Sequence, residues 1–384
     1  MTEHTGGPIA ETVPAAEPEI VIAHDYLTQR GGAERVVLAL HRMYPDAPIY
    51  TTLYDPDGTF PEFRDATVIT TPLNRISAFR KDHRKALPLL PVASSLLQVP
   101  GKIAVVSSSG WAHGFRFSGR TLVYCHTPAR WVHLTEQYLG GPWWRSPKGI
   151  IVTAMKPFLR RWDHRAAQRR ERYLGNSTVV GERIRSVYGM DEVDVVFPPH
   201  SVDTSGEREP IRGLDHLADG QGYLLVVSRL MPYKNVDQVI RAAEQTGHRL
   251  LVVGRGPEQE RLEAMAGPNV HFARDLSEAQ LRWAYANATA LVAASFEDFG
   301  ITPLEASSWG LPTIALRAGG YLDSIQEGVN GVFIDGHDAG SVADGIQRAM
   351  ARSWDSEAIR AHADQFAEHR FAEQIHREVE QLRG

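Results

Sequence analysis

The chain has 384 residues, a formal net charge of −5 and a single cysteine, Cys125. This length exceeds what one ordinary hydrophobic core holds, so we expect two domains. The net charge excludes a general attraction to nucleic acid, and one cysteine excludes a disulfide within the chain. No uncharged apolar stretch of about 18 residues occurs, which argues against a membrane-spanning helix.

Residues 1–17 have neither a basic start nor an apolar core, so we predict a disordered tail and not a signal peptide. In residues 18–203, runs rich in β-branched residues alternate with amphipathic helical patterns, beginning with a strand at 19–27, a helix at 33–44 and a strand at 47–55. Such alternation predicts βαβ units and a parallel sheet, which makes this segment a first α/β domain.

The alternation starts again in residues 204–355, after a segment at 197–213 that is rich in Pro, Gly and charge and that we interpret as a linker. We therefore predict two Rossmann-like α/β domains whose parallel sheets face a central cleft, the place where such folds bind ligands. Residues 356–384 contain apolar residues at helical spacing, which predicts one long polar helix over 356–383.

Two loops that follow predicted strands carry residues suited to phosphate. Gly31 and Gly32 precede a helix whose free N–H groups favour an anion, although an ordinary glycine-containing loop would look the same. Arg229 and Lys234 follow the first strand of the second domain, five residues apart, so they can converge on one diphosphate. The alternative for this pair is two ordinary surface cations.

Other loop residues argue for and against particular chemistry. Gly254 and Gly256 begin a dinucleotide fingerprint, but Gln259 occupies the third glycine position, so we interpret them as a tight turn with close packing. His126 ends a strand just before a Pro turn and is predicted at the rim of the cleft, although a lone histidine is more often structural. Asp55 is part of a Pro-Gly turn and is not expected to bind a metal.

The stretch SFEDFGITPLEA, residues 295–306, holds two carboxylates, Glu297 and Glu305. Thr302 as N-cap, Pro303 as first helical residue and Glu305 as third would form a capping box, which explains Glu305 without any function. Capping does not explain Glu297, which follows an apolar run at the end of a predicted strand. Glu297 is therefore the stronger candidate for a ligand-binding residue.

Residues 143–172 form a basic segment in an acidic protein. From residue 145 to residue 172, nine Lys and Arg residues stand against two acids, and Trp143, Trp144, Phe158 and Trp162 are interleaved with them. This composition suits adsorption to an anionic membrane surface. The alternative is a solvated basic helix whose apolar residues face the core.

These motifs together resemble the family-4 retaining glycosyltransferases, which have the GT-B fold. The two glutamates of EDFGITPLE, with seven residues between them, resemble the E-x7-E signature, and SRLMPYKN resembles the family's phosphate clamp. RGGAERVV, CHTPARW, GNSTVVGERIRSVYG and FPPHSVD are similar to a bacterial subgroup that builds surface polysaccharides and glycolipids, many of its members mannosyltransferases. The resemblance covers residues 19–384, and Asn235 departs from it because many relatives carry Gly there.

The resemblance implies a role for each matching residue. Glu297 would hold the hydroxyls of the transferred sugar, Arg229 and Lys234 would neutralise the leaving diphosphate, and His126 would lie beside the reacting carbon. The implied donor-binding residues are Gly31, Gly32, the backbone of Phe299, Gly300 and Ile301, the ribose ligand Glu305, and Arg274 in the loop near the base. The resemblance also implies that no cofactor or metal is needed and that the C-terminal helix packs back on the first domain.

The activity implied is retaining transfer of a hexose, with mannose from GDP-mannose as the leading candidate, in α linkage to a lipid-linked or polysaccharide acceptor of the cell envelope. We expect a cytoplasmic protein, peripheral on the inner face of the plasma membrane, that binds a nucleotide sugar and not nucleic acid. Two alternatives remain open at this point: a GT-B nucleotide-sugar epimerase, and a non-catalytic subunit that binds nucleotide or glycan.

Overall fold

A computed structural model describes residues 17–133, 147–200 and 202–384. The predicted tail lies outside these residues except for its last position, and so do Trp143 and Trp144 of the basic segment. Within the described ranges, no helix combines the length and the apolar composition needed to cross a bilayer.

The first half of the chain forms a seven-stranded parallel sheet in the order β3-β2-β1-β5-β7-β8-β9. Its strands are β1 (Ile20–His24), β2 (Ile49–Thr51), β3 (Val68–Thr70), β5 (Ile103–Ser108), β7 (Arg120–Cys125), β8 (Arg172–Gly175) and β9 (Asp194–Val195). Two further strands, β4 (Gln98–Val99) and β6 (Arg116–Phe117), pair separately. The strands read as near-continuous apolar runs because helices cover both faces, with Ile22 in one core and Val21 in the other.

The second half forms a six-stranded parallel sheet in the order β12-β11-β10-β13-β14-β15. Its strands are β10 (Leu224–Val227), β11 (Leu250–Val253), β12 (Val270–Ala273), β13 (Ala290–Ala293), β14 (Thr313–Leu316) and β15 (Gly331–Ile334). The strand order reverses between β10 and β13, and in the first sheet it reverses between β1 and β5. Ligands of open α/β sheets bind at such switch points, so we expect a ligand to bind at the loops that follow these four strands.

Helices connect the strands of both sheets. In the first half they are α1 (Gly32–Met43), α2 (Ser77–Lys81), α3 (Leu90–Leu96), α4 (Arg130–His133), α5 (Pro147–Ala167) and α6 (Thr178–Tyr188). The second half contributes α7 (Val236–Thr246), α8 (Gln259–Met265), α9 (Glu278–Ala286), α10 (Thr302–Ser308), α11 (Tyr321–Ser324), α12 (Ala339–Met350), α13 (Ser356–Ala363) and α14 (Glu368–Arg383). Short 3₁₀ turns lie at Pro61–Arg64, Pro72–Arg75, His83–Ala86, Ala112–Gly114, Asp215–Ala218, Pro232–Lys234 and Asp364–Phe366.

The prediction of one long helix over 356–383 is wrong, because α13 and α14 are separate helices. Ala367 between them is extended, with φ −61° and ψ 151°. Phe366 packs with Phe299 and Phe197, beside the second sheet, whereas Phe371 packs into the core of the first sheet. One straight helix could not place both aromatic side chains, so the break lets the chain end return to the first sheet.

Candidate active site between the two sheets

Lys234 and Glu297 meet at the switch point of the second sheet. Lys234 closes the 3₁₀ turn Pro232–Lys234 after β10, and Glu297 lies in the loop after β13. The Lys234 Nζ and Glu297 Oε1 atoms are 2.5 Å apart, and the Ser295 hydroxyl donates to the same carboxylate oxygen at 3.1 Å. The two side chains are only 14% and 16% exposed. A cation and a carboxylate are therefore held together, with limited exposure, where a ligand of this fold class would bind.

Asn235 ties the two loops that carry this pair. Its backbone is left-handed, with φ 54°, and it immediately precedes α7. Its side-chain amide donates to the Ala294 carbonyl oxygen at 2.8 Å, just after β13. Asn tolerates the left-handed region better than most residues, so it can adopt this conformation while its side chain adds a hydrogen bond.

Arg229 is exposed on the same loop. Its guanidinium group donates a 3.4 Å hydrogen bond to the Tyr233 hydroxyl, and it forms no ion pair with a described carboxylate. The guanidinium group can therefore turn toward an anionic ligand without breaking a salt bridge.

Glu305 lies in α10, and the predicted capping box is not formed. The helix begins at Thr302, its N-cap is Ile301, and no side chain caps it. The reason is that Ile301 is already helical, with φ −79° and ψ −23°, so Thr302 falls inside the first turn. Glu305 is instead held by Arg35 at 3.3 Å and by the Tyr285 hydroxyl at 2.9 Å. Burial, and to a smaller extent the nearby Glu305 carboxylate, raises the pKa of the Tyr285 phenol well above its usual range. The phenol therefore stays protonated and can donate its hydrogen bond to Glu305.

The segment between the two glutamates is shaped by Gly300. Its φ is 78°, and a Cβ there would lie 2.3 Å from the Tyr321 ring, so a larger residue does not fit. Phe299 beside it is buried against Leu304. The backbone of this segment is thus fixed by packing on both sides.

Gly31 and Gly32 lie at the start of α1, where Gly31 is the extended N-cap and Gly32 the first helical residue. A Cβ on Gly32 would meet nothing within 4 Å, whereas one on Gly31 would lie 2.6 Å from a Glu34 carboxylate oxygen. Arg35 of the same turn reaches Glu305 of α10, so this helix start lies next to the second sheet. The two glycines are thereby brought to the site, and their anion-binding role stays a prediction.

A buried network that sequence reasoning missed lies behind His126. The His126 Nε2 atom is 2.8 Å from the Ser107 hydroxyl, which is 3.0 Å from His24 Nδ1. His24 Nε2 in turn is 3.9 Å from the carboxylate of Glu34, which is 1% exposed and has no hydrogen-bond partner among the described residues. Burial lowers the pKa of His24, but Glu34 and then Asp25 outweigh burial and raise it above its ordinary value.

Asp25 organises the loop after β5. Its carboxylate accepts hydrogen bonds from the backbone N–H groups of Ser109 at 2.6 Å, Trp111 at 3.0 Å and Ala112 at 2.6 Å, and from the Ser108 hydroxyl at 3.2 Å. Asp25 is 2% exposed. An acid directly after the first strand was the available sequence signal, but its partners lie more than 80 residues away.

Arg183 connects the His126 side of the cleft to the Glu297 side. Its Nη1 atom donates to the Thr127 hydroxyl at 2.8 Å and to Asp298 at 2.7 Å. The neighbours of both candidate residues therefore share one guanidinium group, so the two sheets present His126 and Glu297 to the same cleft.

The structure also places Arg274, Cys125 and Gly254, three further residues named in the sequence analysis. Arg274 is exposed after β12, at the edge of the sheet, and among the described residues its side chain forms no hydrogen bond or ion pair with another candidate. Cys125 is buried, and burial raises the pKa of its thiol well above the usual range, so the thiol stays protonated. A Cβ on Gly254 would lie 1.9 Å from the Ser228 carbonyl oxygen, which agrees with a tight, closely packed turn.

No described residues form a group of three or more His, Cys, Asp or Glu side chains that could hold a metal ion.

Residues 208–368 match the family model described as "Glycosyl transferases group 1". D-inositol 3-phosphate glycosyltransferase of Mycolicibacterium smegmatis (strain ATCC 700084 / mc(2)155) is 32% identical over 216 residues, which cover 51% of this chain and 50% of that protein. The enzyme of the same name from Acidothermus cellulolyticus is 29% identical over 223 residues, with the same coverage. The chain thus spans about half the length of the curated relatives it matches.

Solved structures cover nearly the whole chain. Anabaena HepE in complex with UDP superimposes with a TM-score of 0.68 at 16% identity, covering 94% of this chain and 100% of that one. Sucrose-phosphate synthase from Thermosynechococcus elongatus gives a TM-score of 0.69 at 17% identity, covering 95% and 99%. The chain has the GT-B fold. The predicted fold class is therefore confirmed. Within this GT-B chain the family match contains Arg229, Lys234, Glu297 and Glu305, whereas Gly31, Gly32 and His126 precede it.

Proposed function

We propose that the protein is a glycosyltransferase that takes its sugar from a nucleoside diphosphate. The observation that supports this best is the contact of Lys234 with Glu297 at the switch point, with exposed Arg229 on the same loop. A leaving diphosphate gains negative charge in the transition state, and cations fixed in advance at that position lower the barrier. A carboxylate beside them can accept hydrogen bonds from sugar hydroxyls, which orients the sugar.

Donor binding would redistribute the contacts of Lys234. Before binding, its ammonium group satisfies Glu297 at 2.5 Å. Once the diphosphate is present, Lys234 and Arg229 would share its charge, and Glu297 would exchange one ammonium hydrogen bond for sugar hydroxyls. Glu305 would accept from the ribose hydroxyls while Arg35 and Tyr285 keep it in place.

The reaction that we propose is retaining. The bond between the anomeric carbon and the phosphate oxygen breaks, the acceptor oxygen bonds to the same face of that carbon, and the acceptor proton passes to the leaving phosphate oxygen. This route uses no carboxylate nucleophile, so the protein contributes mainly charge stabilisation and orientation. His126, fixed by Ser107, would contact the sugar near its reacting carbon.

The donor and the acceptor are open to experiment. GDP-mannose is the leading candidate from the sequence resemblance, whereas one of the similar structures holds UDP and another UDP-glucose. The curated relatives carry D-inositol 3-phosphate in their names, which supports a phosphorylated polyol as an acceptor beside a lipid-linked or polysaccharide one. We place the reaction in cell-envelope glycan synthesis at the inner membrane face.

A panel of nucleotides and nucleotide sugars tests the proposal. GDP, UDP, ADP and TDP and their hexose conjugates are first screened by thermal shift, where a ligand at 100 times its Kd stabilises by about 2.7 kcal/mol. Binders are then incubated with inositol phosphate or lipid-linked acceptors, and NMR determines the anomeric configuration of the product. We expect one base to be preferred and an α product from an α donor. Absence of binding and turnover across the panel contradicts the proposal. Release of an epimer without acceptor indicates an epimerase, and binding without turnover indicates a binding subunit.

A further inference from the structure

A groove of about 620 Å³ lies between α5 and β6, apart from the candidate active site. Five arginines line it, and no Asp or Glu is found among the described lining residues. None of the residues that line it is a candidate donor-binding or catalytic residue. The groove is thus a second concave and strongly cationic feature of the molecule.

Four of the five arginines of the groove have no side-chain partner among the described residues. Arg116, Arg161, Arg165 and Arg169 are exposed, and their guanidinium groups form no hydrogen bond or ion pair with any residue that the structure describes. The fifth, Arg170, is structural, since it donates to the carbonyl oxygens of His113 at 2.8 Å and Phe115 at 2.9 Å. Four guanidinium groups therefore remain available to an anionic ligand.

The two acids of this segment do not neutralise the groove. Asp163 is fully buried on the opposite side of α5, where His113 contacts it at 3.1 Å and His133 at 2.9 Å. Glu171 accepts a hydrogen bond from the Thr121 backbone N–H at 2.8 Å. Four arginines of the basic segment, Arg161, Arg165, Arg169 and Arg170, thus line the groove without a carboxylate among its described lining residues.

Exposed apolar side chains lie on α5 and α3, the two helices that contribute Phe158 and Ser95 to the lining of the groove. On α5, Phe158 is 60% exposed and lies one turn before Trp162, whose indole N–H donates to the Ser95 hydroxyl of the neighbouring helix α3 at 2.8 Å. Val92 and Leu96 of that helix and Leu89, its N-cap, are 57%, 61% and 46% exposed, at a spacing that puts them on one stripe. We define Leu89, Val92, Leu96 and Phe158 as the apolar rim.

An apolar rim beside unpaired cations is the chemistry that binds the interface of an anionic bilayer. We propose that this face adsorbs to an anionic phospholipid membrane, with lipid headgroup phosphates in the arginine groove and the apolar rim among the upper acyl carbons. A soluble anion would bind the arginines but would not cover the apolar rim. An acidic protein partner would also bind the arginines, but it offers no fluid apolar layer into which the rim could insert.

Vesicle flotation of the full-length protein tests the proposal without any nucleotide sugar, so its outcome is independent of the proposed transferase reaction. We expect flotation with vesicles of phosphatidylglycerol and phosphatidylcholine but not of phosphatidylcholine alone. Binding should fall steeply between about 0.1 M and about 0.5 M NaCl. Equal binding to both vesicle types, or to neither, overturns the proposal.

Two sets of variants locate the surface. Arg161→Gln, Arg165→Gln and Arg169→Gln together should lower the partition coefficient by on the order of a hundredfold. The matched control replaces the exposed Arg241, Arg370 and Arg377 by Gln, which removes the same charge elsewhere and should change binding little.

Val92→Ser with Leu96→Ser should lower binding roughly tenfold, whereas Leu322→Ser, which alters a side chain 54% exposed in the second half, should not. Circular dichroism checks that each variant is folded. Wild-type flotation by a folded groove variant contradicts the assignment, as does displacement of the protein from vesicles by millimolar glycerol phosphate or by a short RNA.

Discussion

The two sides of the cleft are built differently although both lie at switch points of parallel sheets. On the second sheet, Lys234 and Glu297 form a partly exposed ion pair, and these two candidate residues lie in two short loops. On the first sheet, buried His24 of β1 and buried Ser107 of β5 form a chain of hydrogen bonds with partly buried His126, which directly follows β7. The second side, which we call the charged side, thus presents an ion pair to the cleft. The first side, which we call the histidine side, presents a histidine held by hydrogen bonds.

This difference predicts different consequences of mutation. A charged group that contacts the leaving diphosphate should affect the rate far more than folding. A buried acceptor that organises a loop should affect folding far more than any one catalytic step. Each of the following predictions can break or sharpen that contrast.

The largest effect is expected on the charged side. Lys234→Ala removes a cation that we place against the leaving diphosphate, so turnover should fall roughly 100- to 1,000-fold, and Glu297→Gln should act similarly. The measurement is sugar transfer under saturating donor, together with a melting curve. Arg241→Ala, on the helix that follows the same loop, is the control. A rate for Lys234→Ala within threefold of wild type would remove Lys234 from the mechanism.

The next effect is expected on the histidine side. Asp25→Ala leaves three backbone N–H groups and one hydroxyl without their acceptor, so it should destabilise the protein by about 3 kcal/mol or more. Urea denaturation measures this change, and Asp46→Ala, at an exposed acid of the same half, should stay within about 0.5 kcal/mol of wild type. If both variants are equally stable, Asp25 does not organise the loop as described.

A pH-dependent effect is expected where the two halves join. Burial, and to a smaller extent the charge of Arg35, lowers the pKa of the His200 imidazole to about 4. It contacts the Ser308 hydroxyl at 2.5 Å, and its backbone N–H donates to the Phe366 carbonyl oxygen. Because the folded pKa lies below the unfolded value near 6.5, the stabilisation is complete above that value and is lost as the pH falls toward 4.

Between about pH 7.5 and pH 5, this group should lower the free energy of unfolding by about 2 kcal/mol. His200→Gln should remove that part of the pH dependence, whereas His376→Gln, at a side chain 63% exposed, should leave it intact. Denaturation curves at both pH values measure it. Identical pH profiles for wild type and His200→Gln would show that His200 does not titrate as stated.

The same contrast explains what the sequence could predict. Strand and helix alternation predicted both sheets, because apolar runs flanked by polar turns are local patterns. Glu297 and Lys234 are candidates from the sequence because each lies in a short motif, and the structure brings their side chains into contact. The network of His24, Ser107 and Glu34 was not found, since each residue alone is ordinary and only the sheet brings them together. The prediction of an N-cap at Thr302 is wrong because the backbone of Ile301 is already helical. No pattern of side chains in the sequence indicates that backbone conformation.

The smallest effect is expected at Asn235, and it tests whether the charged side depends on backbone conformation or on the added hydrogen bond. Asn235→Gly keeps the left-handed conformation without strain but loses the bond to the Ala294 carbonyl oxygen, so kcat/KM should fall only about three- to fivefold. Asn235→Ala loses the same bond and also carries left-handed strain of roughly 1–2 kcal/mol, so it should melt lower than Asn235→Gly.

Paired measurements of kcat/KM and melting temperature separate the two contributions. If the Gly and Ala variants lose the same stability, the left-handed backbone of residue 235 is not maintained. If Asn235→Gly loses as much activity as Lys234→Ala, then the amide bridge itself positions Lys234 against Glu297, and the two loops on the charged side depend on buried hydrogen bonding as much as the histidine side does.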